Sequence, residues 1–396
     1  MVTQFLLGAW PYYMPGTAVL IVAILFGSRT ITFRAPSLRQ VLFEALGRVK
    51  GIPIVWIECP AAAARVLKAS SIKGEFLERT FSAPAFLPLL SLESADDPQW
   101  SVLKAHLTTF MHSLPPVSNL QSIAHRVTLE SMSALNRLDA DAISSISVAT
   151  FFEWIFGRAM PIDVRQLMCS ATWEWRKEIA VKGKGDMALK QRAVDAIVRE
   201  ILATPHVCHV FGAHQWTDPE FFSVLIQPFL VSPAINISDI AVQVRQQLVH
   251  TNTHDPAKNL ADLVHAAMDA AHPFVLLERF LPLGLHDDLV QIAPGTHVFI
   301  PVDMITTDAA IRFGAGARKC PGTHLGMACM LGIFSAEVLQ HDKFQPHVGH
   351  LYSGRDQDGQ ESLQETIFQG AQIAAALWAA FLARIRGALR AQLKNT

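Results

Sequence analysis

The stretch Phe313–Gly322, FGAGARKCPG, decides how the rest of the chain is read. It sets Cys320 among Gly314, Gly316 and Gly322, with Arg318 and Lys319 beside it, directly ahead of the helical-looking run THLGMACMLGIFSAEVLQ. Each of these residue types has a use if the sulfur is an iron ligand. A thiolate persists in a positive environment, which Arg318, Lys319 and the N-terminus of the following helix are expected to supply. Pro321 suits the first turn of that helix, where a missing N–H costs nothing. The glycines admit positive φ and let the backbone approach a flat macrocycle. Phe313 is placed to screen the sulfur from water. A buried, inert cysteine in a glycine-rich turn is the plainer alternative.

The spacing Phe313-x-x-Gly316-x-Arg318-x-Cys320-x-Gly322 resembles the cysteine-ligand loop of the cytochrome P-450 (haem-thiolate) family, and its five fixed positions all match. The resemblance implies a mainly α-helical fold with small β elements. It further implies haem b (heme b, iron protoporphyrin IX) ligated by Cys320, and electrons from NADPH delivered by a flavoprotein reductase. Because the motif covers only ten residues, the rest of the chain must supply independent support.

The chain has 396 residues, enough to bury a large core. Lys plus Arg number 33 against 34 Asp plus Glu, so no basic excess points to nucleic acid. Five cysteines with no framework spacing fit a reducing compartment. Mean hydropathy is high, +0.27, which directs attention to the N-terminus. From Met1 to Ser28 there is no charged side chain, and FLLGAWPYYMPGTAVLIVAILFG is long enough to cross a bilayer at about 20 residues. Trp10, Tyr12 and Tyr13 suit an interface, and Arg29, Arg34 and Arg39 follow on the side expected to stay in the cytosol. A buried hairpin broken by Pro11 and Pro15 is the alternative. The expected organisation is therefore an anchor over 1–28 and a catalytic domain over 29–396, with the endoplasmic reticulum membrane implied by the family's microsomal members.

Residues 36–50 read as an amphipathic helix, GIPIVWIEC over 51–59 as a strand, and Pro60 opens another helix. In DPQWSVLKAH, Trp100 and Lys104 are four apart and share a helical face. The resemblance carries them onto the family's propionate-contacting tryptophan and basic residue, with Lys in place of the commoner Arg; a core tryptophan on an ordinary amphipathic helix explains the same residues. From 116 to 205 the pattern is one helix after another. His206, Cys208, His209 and His214 cluster, but no closed zinc spacing fits them.

The run FFSVLIQPFLVSPAINISDIAVQVRQQL, 221–248, fits the long helix that crosses the haem in this family. Pro233 predicts a kink. The family's acid–threonine pair is not recognisable there; Asn236, Ser238 and Asp239 are the candidate catalytic polar groups at the bend. Aligning His272-Pro273 with the family's His-Pro-Pro puts Ala267 and Ala270 where a Glu-x-x-Arg brace belongs, so the brace is expected to be absent. Asp269 and His272 have its spacing, two residues out of register. Arg279 matches the arginine that reaches a propionate, or else forms a surface pair with Glu278. DDLVQIAPGTHVFIPVDM resembles the family's short sheet, and only Ile305–Arg312 then separates it from Phe313, so the loop that normally precedes the cysteine is shortened or missing.

The expected site thus comprises Cys320 as metal ligand, with Trp100, Lys104, Arg279, Phe313 and Arg318 around the cofactor. The resemblance implies monooxygenation of a small lipophilic substrate, with fungal secondary metabolism as the nearest analogy and the reductase docked near Arg312, Arg318 and Lys319. Two readings stay open beside it: a haem-thiolate isomerase, dehydratase or coupling enzyme that inserts no oxygen, and a truncated haem binder without turnover.

Overall fold

The computed structural model describes residues 36–77, 86–181, 185–212, 218–251, 260–271, 275–305 and 309–346. The apolar N-terminal run, the His272-Pro273 pair and the alanine-rich tail lie outside them. In chain order the elements are α1 (Pro36–Lys50), β1 (Ile54–Trp56), α2 (Pro60–Ala69), α3 (Gln99–His112), α4 (Val117–Ala134), α5 (Ala140–Phe156), α6 (Ile162–Val181) and α7 (Met187–Leu202). Then follow α8 (Pro205–Gly212), α9 (Asp218–Leu225), a π-turn (Ile226–Val231), α10 (Ser232–Thr251) and α11 (Leu260–Ala270). The last are β2 (Leu276–Leu281), β3 (Leu285–His286), β4 (Gln291–Ile292), β5 (Thr296–Pro301), α12 (Ala309–Arg312), α13 (Thr323–Ile333) and α14 (Ala336–Gln340). The architecture is mainly α with small β elements, as the loop motif implies.

Local sequence explains the helix limits. Pro60 opens α2 in its first turn. Asp139 caps α5 by accepting the Ala142 N–H, and Gly157 ends it in the left-handed region at φ 68°. Helix α5 is apolar on almost every side, so it can be stable only inside the bundle; it packs against α4, α6 and α10. The expected strand over 51–59 shortens to Ile54–Trp56, which pairs parallel to β5, while β2 pairs antiparallel on the other edge.

α9, the π-turn and α10 form one long helix through the core. Pro233 has no N–H, and its ring pushes away the carbonyl one turn back. The helix responds by widening: the Ser232 N–H bonds to the Gln227 carbonyl, five residues earlier. The irregularity therefore lies just ahead of Pro233, where the sequence predicts a kink. By length and composition Pro219–Val249 would pass as a membrane span, yet its apolar window is 72% buried within the fold, which makes it a core helix.

Two apolar cores result. Helices α3 to α11 and α13 enclose the larger one, and the sheet with α2 encloses the smaller, through Ala63, Val66, Leu67, Val298 and Ile300. The segment ahead of Cys320 straddles them: Ile311 and Ala315 belong to the smaller core, and Phe313 packs on the larger. Helix α13 is held tightly to α4, since a Cβ on Gly332 would lie 2.4 Å from the Gln121 carbonyl oxygen. Position and support for the cysteine loop both follow from this junction.

Candidate functional site

The loop closes on itself through a 2.8 Å bond from the Cys320 N–H to the Phe313 carbonyl. Gly314 and Gly316 take φ of 70° and 67°, a region that costs other residues about 1 kcal/mol or more. A Cβ on Gly316 would also sit 2.5 Å from the Leu67 carbonyl oxygen, so the loop rests directly on the end of α2. Gly322 differs from expectation: its φ is −88° and it caps α13, which begins at Thr323, so Pro321 precedes the helix.

The Gly322 N–H and the Thr323 hydroxyl both favour the Cys320 thiolate. Burial outweighs them and raises the thiol above its ordinary value, with the Glu93 carboxylate adding to the rise. Cys320 is nevertheless accessible to solvent. A group that is both reachable and desolvated lines a cleft. The expected cationic support from Arg318 and Lys319 is absent from the influences on this sulfur; the helix N-terminus provides the favourable contribution.

Arg318 is turned away and spent. It donates to the carbonyls of Ser71, Leu92 (2.8 Å) and Ala95 (2.7 Å) and to Asp96 Oδ1 at 2.5 Å. Its guanidinium lies 4.7 Å from the centre of the Trp100 ring, and the Lys104 ammonium lies 4.8 Å from the same ring. Lys104 Nζ reaches across to donate to the Ala317 carbonyl at 2.6 Å. Trp100 and Lys104, neighbours on α3, are thereby joined to a loop more than 200 residues later.

Strand β2 supplies the remaining cation. Alternation along the strand sends Glu278 and Arg279 to opposite faces. Glu278 accepts the N–H groups of Phe76 and Leu77 and contacts His297 Nδ1 at 2.9 Å, which removes the surface ion pair as an explanation. Arg279 is 4% exposed, donates once, to the Glu278 carbonyl at 2.7 Å, and leaves a buried Nε without a partner. Burial lowers its pKa to about 10, and the facing Arg318 guanidinium contributes to the fall. Two buried guanidiniums with Asp96 between them leave this corner short of negative charge.

Where the expected brace is absent, another tie is present. Asp269 on α11 forms an ion pair with Arg312, which also lies 3.4 Å from His265 Nδ1. Helix α11 is thus fastened to the segment that enters the cysteine loop, by a pair one turn away from the buried Ala267.

The three polar groups expected at the central bend take other partners. Asn236 Nδ2 donates to the Ser232 carbonyl at 2.7 Å. Ser238 and Asp239 face α6, where buried Arg176 donates to the Ser238 hydroxyl at 3.2 Å and pairs with Asp239. Their role is to join two helices. The polar group at the π-turn itself is Gln227, which is 2% exposed and donates to Ser232 Oγ at 2.7 Å and to Glu93 Oε2 at 3.2 Å. Sequence reading passed over both Gln227 and Glu93. A lone amide in the apolar run VLIQPFLV was the available signal for the first; nothing local marks the second. His206 bonds to the Ile155 carbonyl at 3.0 Å, and no metal-holding cluster exists among the described residues.

No family model and no curated protein matches the chain. Solved structures do. A cytochrome P450 enzyme, CxnD, for C–S bond formation in chuangxinmycin biosynthesis superposes with a TM-score of 0.55 at 14% identity, covering 72% of this chain and 79% of that one. CYP175A1 from Thermus thermophilus gives 0.54 at 14%, covering 78% and 90%. A variant of cytochrome P450 OleT in complex with arachidonic acid gives 0.58 at 12%, covering 77% and 87%. The chain has the cytochrome P450 fold.

The residues present fit the haem that the P450 fold implies. Cys320 is accessible at the mouth of a helix N-terminus, and the orphaned Nε of Arg279, beside a second guanidinium, suits a carboxylate of the macrocycle. Arg318 would contribute mainly by holding Trp100 and the 92–96 segment in place.

Proposed function

We propose that the protein is a haem-thiolate monooxygenase that inserts oxygen from O2 into a small lipophilic molecule. The single observation that carries the reading is Cys320: accessible within a cleft, with the Gly322 N–H and the Thr323 hydroxyl turned to its sulfur. Haem bound there would supply O2 activation, with two electrons from NADPH through a flavoprotein reductase. Cys320 loses its proton on binding the metal, and the helix N-terminus then favours the thiolate. Arg279, Trp100 and Lys104 hold the carboxylates of the macrocycle, and Phe313 closes the loop through its carbonyl. The apolar lining from α3, α5 and the π-turn, including Phe110, Phe151 and Phe229, selects a lipophilic substrate and excludes water.

The reductase docks on exposed Lys68, Lys104 and Lys319 around the loop; Arg312 and Arg318, turned inward, take no direct part. Residues 1–28 anchor the chain in a membrane, with the endoplasmic reticulum as the expected site and secondary metabolism as the setting. One arrangement favours the second reading, in which no oxygen is inserted: Ser238 and Asp239 are committed to Arg176, so they cannot serve a proton relay at the bend.

The test is a CO-difference spectrum of the reduced protein beside Cys320→Ser. A strongly red-shifted Soret band, lost in the variant, supports the thiolate site, and NADPH-dependent product with reductase then separates oxygen insertion from rearrangement. A band unaffected by the variant, or no haem, sinks the reading.

A further inference from the structure

Glu93 is the carboxylate at this cleft that no cation answers. Its Oε2 accepts from two neutral donors, Ser91 Oγ at 2.8 Å and Gln227 Nε2 at 3.2 Å, and Oε1 has no partner among the described residues. The other two carboxylates nearby are committed: Asp96 to Arg318 and to the N–H groups of Lys73 and Gly74, and Asp97 to the Ser101 hydroxyl. Glu93 is exposed, yet it is tied to Gln227, one of the most enclosed polar side chains of the central helix. Its charge is felt at the Cys320 thiol and at Arg318, which places it on the wall of the same opening.

The tether itself depends on the π-turn. Widening the helix between Pro228 and Pro233 brings Gln227 and Ser232 within 2.7 Å, so the amide is fixed at one end by the helix and at the other by Glu93. A π-turn at such a place often marks a functional site. With the macrocycle carboxylates meeting Arg279 and its neighbours, the free oxygen of Glu93 faces an otherwise apolar space. A carboxylate oxygen accepts hydrogen bonds and repels anions.

We infer that Glu93, held by Gln227 and Ser91, is a specificity-determining residue that seats a hydrogen-bond-donating polar end, hydroxyl or amine, of an otherwise apolar substrate, and rejects a carboxylate there. This rests on the reading of the opening as a substrate site. Fatty acids free at their carboxyl end would be poor ligands in this orientation, and long-chain alcohols good ones.

Equilibrium dialysis of radiolabelled 1-decanol and decanoate against the full-length protein, wild type and Glu93→Gln, tests the inference. The wild type is expected to bind the alcohol at least about tenfold more tightly than the acid, since one charge-assisted hydrogen bond exchanged for a repulsion exceeds about 1.4 kcal/mol. In Glu93→Gln the preference should fall to about threefold or less, chiefly through tighter acid binding, a gain that a merely misfolded variant would not show. Gln227→Ala, which frees the carboxylate from the helix, should weaken alcohol binding and leave the acid unchanged. Equal affinity for the two probes in the wild type, or a preference that survives in Glu93→Gln, overturns the assignment. Haem content, measured on the same samples, separates the two readings: a haem-free protein that still discriminates at Glu93 would sink the haem proposal and keep this one.

Discussion

The cysteine loop and the central-helix bend face one cleft, yet they are built in opposite ways. The loop is local: Phe313 to Gly322 set its own φ angles, close their own hydrogen bond and present the sulfur at the start of α13. The bend is assembled from a distance. Gln227 is joined to Glu93 across 134 residues, and Ser238 and Asp239 to Arg176 across about 60. A site whose parts are adjacent in sequence can be read from spacing. A site whose parts meet only through packing needs the packing first.

The largest expected effect lies at the bend. Arg176→Met leaves Asp239 buried, 2% exposed and with one oxygen already without a hydrogen-bond partner. Breaking a buried pair costs about 3–5 kcal/mol, so the midpoint of urea unfolding should fall steeply. The double variant Arg176→Met/Asp239→Leu should recover most of the loss. Retention of the thiolate spectrum and of turnover in the double variant would establish that these residues brace α6 against α10; loss of turnover with stability restored would return Asp239 to the chemistry.

At the loop, Gly316→Ala combines a positive φ with a Cβ 2.5 Å from a backbone carbonyl. We expect a loss on the order of 3 kcal/mol and little bound haem, whereas Gly322→Ala, whose Cβ would meet only the Cys320 sulfur at 3.9 Å, should bind haem with a small shift of its Soret band. Equal tolerance at the two glycines would show that the loop is less self-contained than its geometry indicates.

What could be read in the sequence follows the same division. Cys320, Phe313 and the two positive-φ glycines were readable because each acts on its immediate neighbours. Trp100 and Lys104 were readable as a pair, because helical spacing places them on one face, and Arg279 by its match to a family position. The use of Arg318 was not: its partners, Ser71, Leu92, Ala95 and Asp96, come from segments more than 200 residues earlier. Nor was the tie that stands in for the brace. Asp269 looked two residues out of register because the alignment rested on His272-Pro273, whereas its partner is Arg312 from the shortened segment ahead of the loop.

Arg279 sharpens the comparison from a third side. As a buried base whose pKa is lowered to about 10, it carries its charge at neutral pH at a cost to the haem-free fold. The penalty is fully present below about pH 10 and is relieved as the pH rises through that value. Arg279→Met should therefore raise the melting temperature of the haem-free protein, by an amount equivalent to about 1–3 kcal/mol, while weakening haem binding. The gain should hold across neutral pH and shrink above about pH 10. A variant that lowers the stability of both forms would mean that Arg279 packs rather than waits for a carboxylate.

The smallest effect is expected at Asp269. Its side chain is 36% exposed, so water screens the pair with Arg312 and Asp269→Asn should cost no more than about 1 kcal/mol. Stability is the wrong place to look for its role. The pair joins α11 to the segment entering the cysteine loop, so its removal should let that segment move and quicken the transfer of haem to apomyoglobin by about threefold or more, with the position of the thiolate band unchanged. The neighbouring His265→Ala, which removes only a 3.4 Å contact to the same guanidinium, should have little effect on either. An unchanged transfer rate in Asp269→Asn would show that the loop, held by Gly316 on α2 and by Arg318 on the 92–96 segment, keeps its shape without α11, and that loss of the expected Glu-x-x-Arg brace needed no replacement.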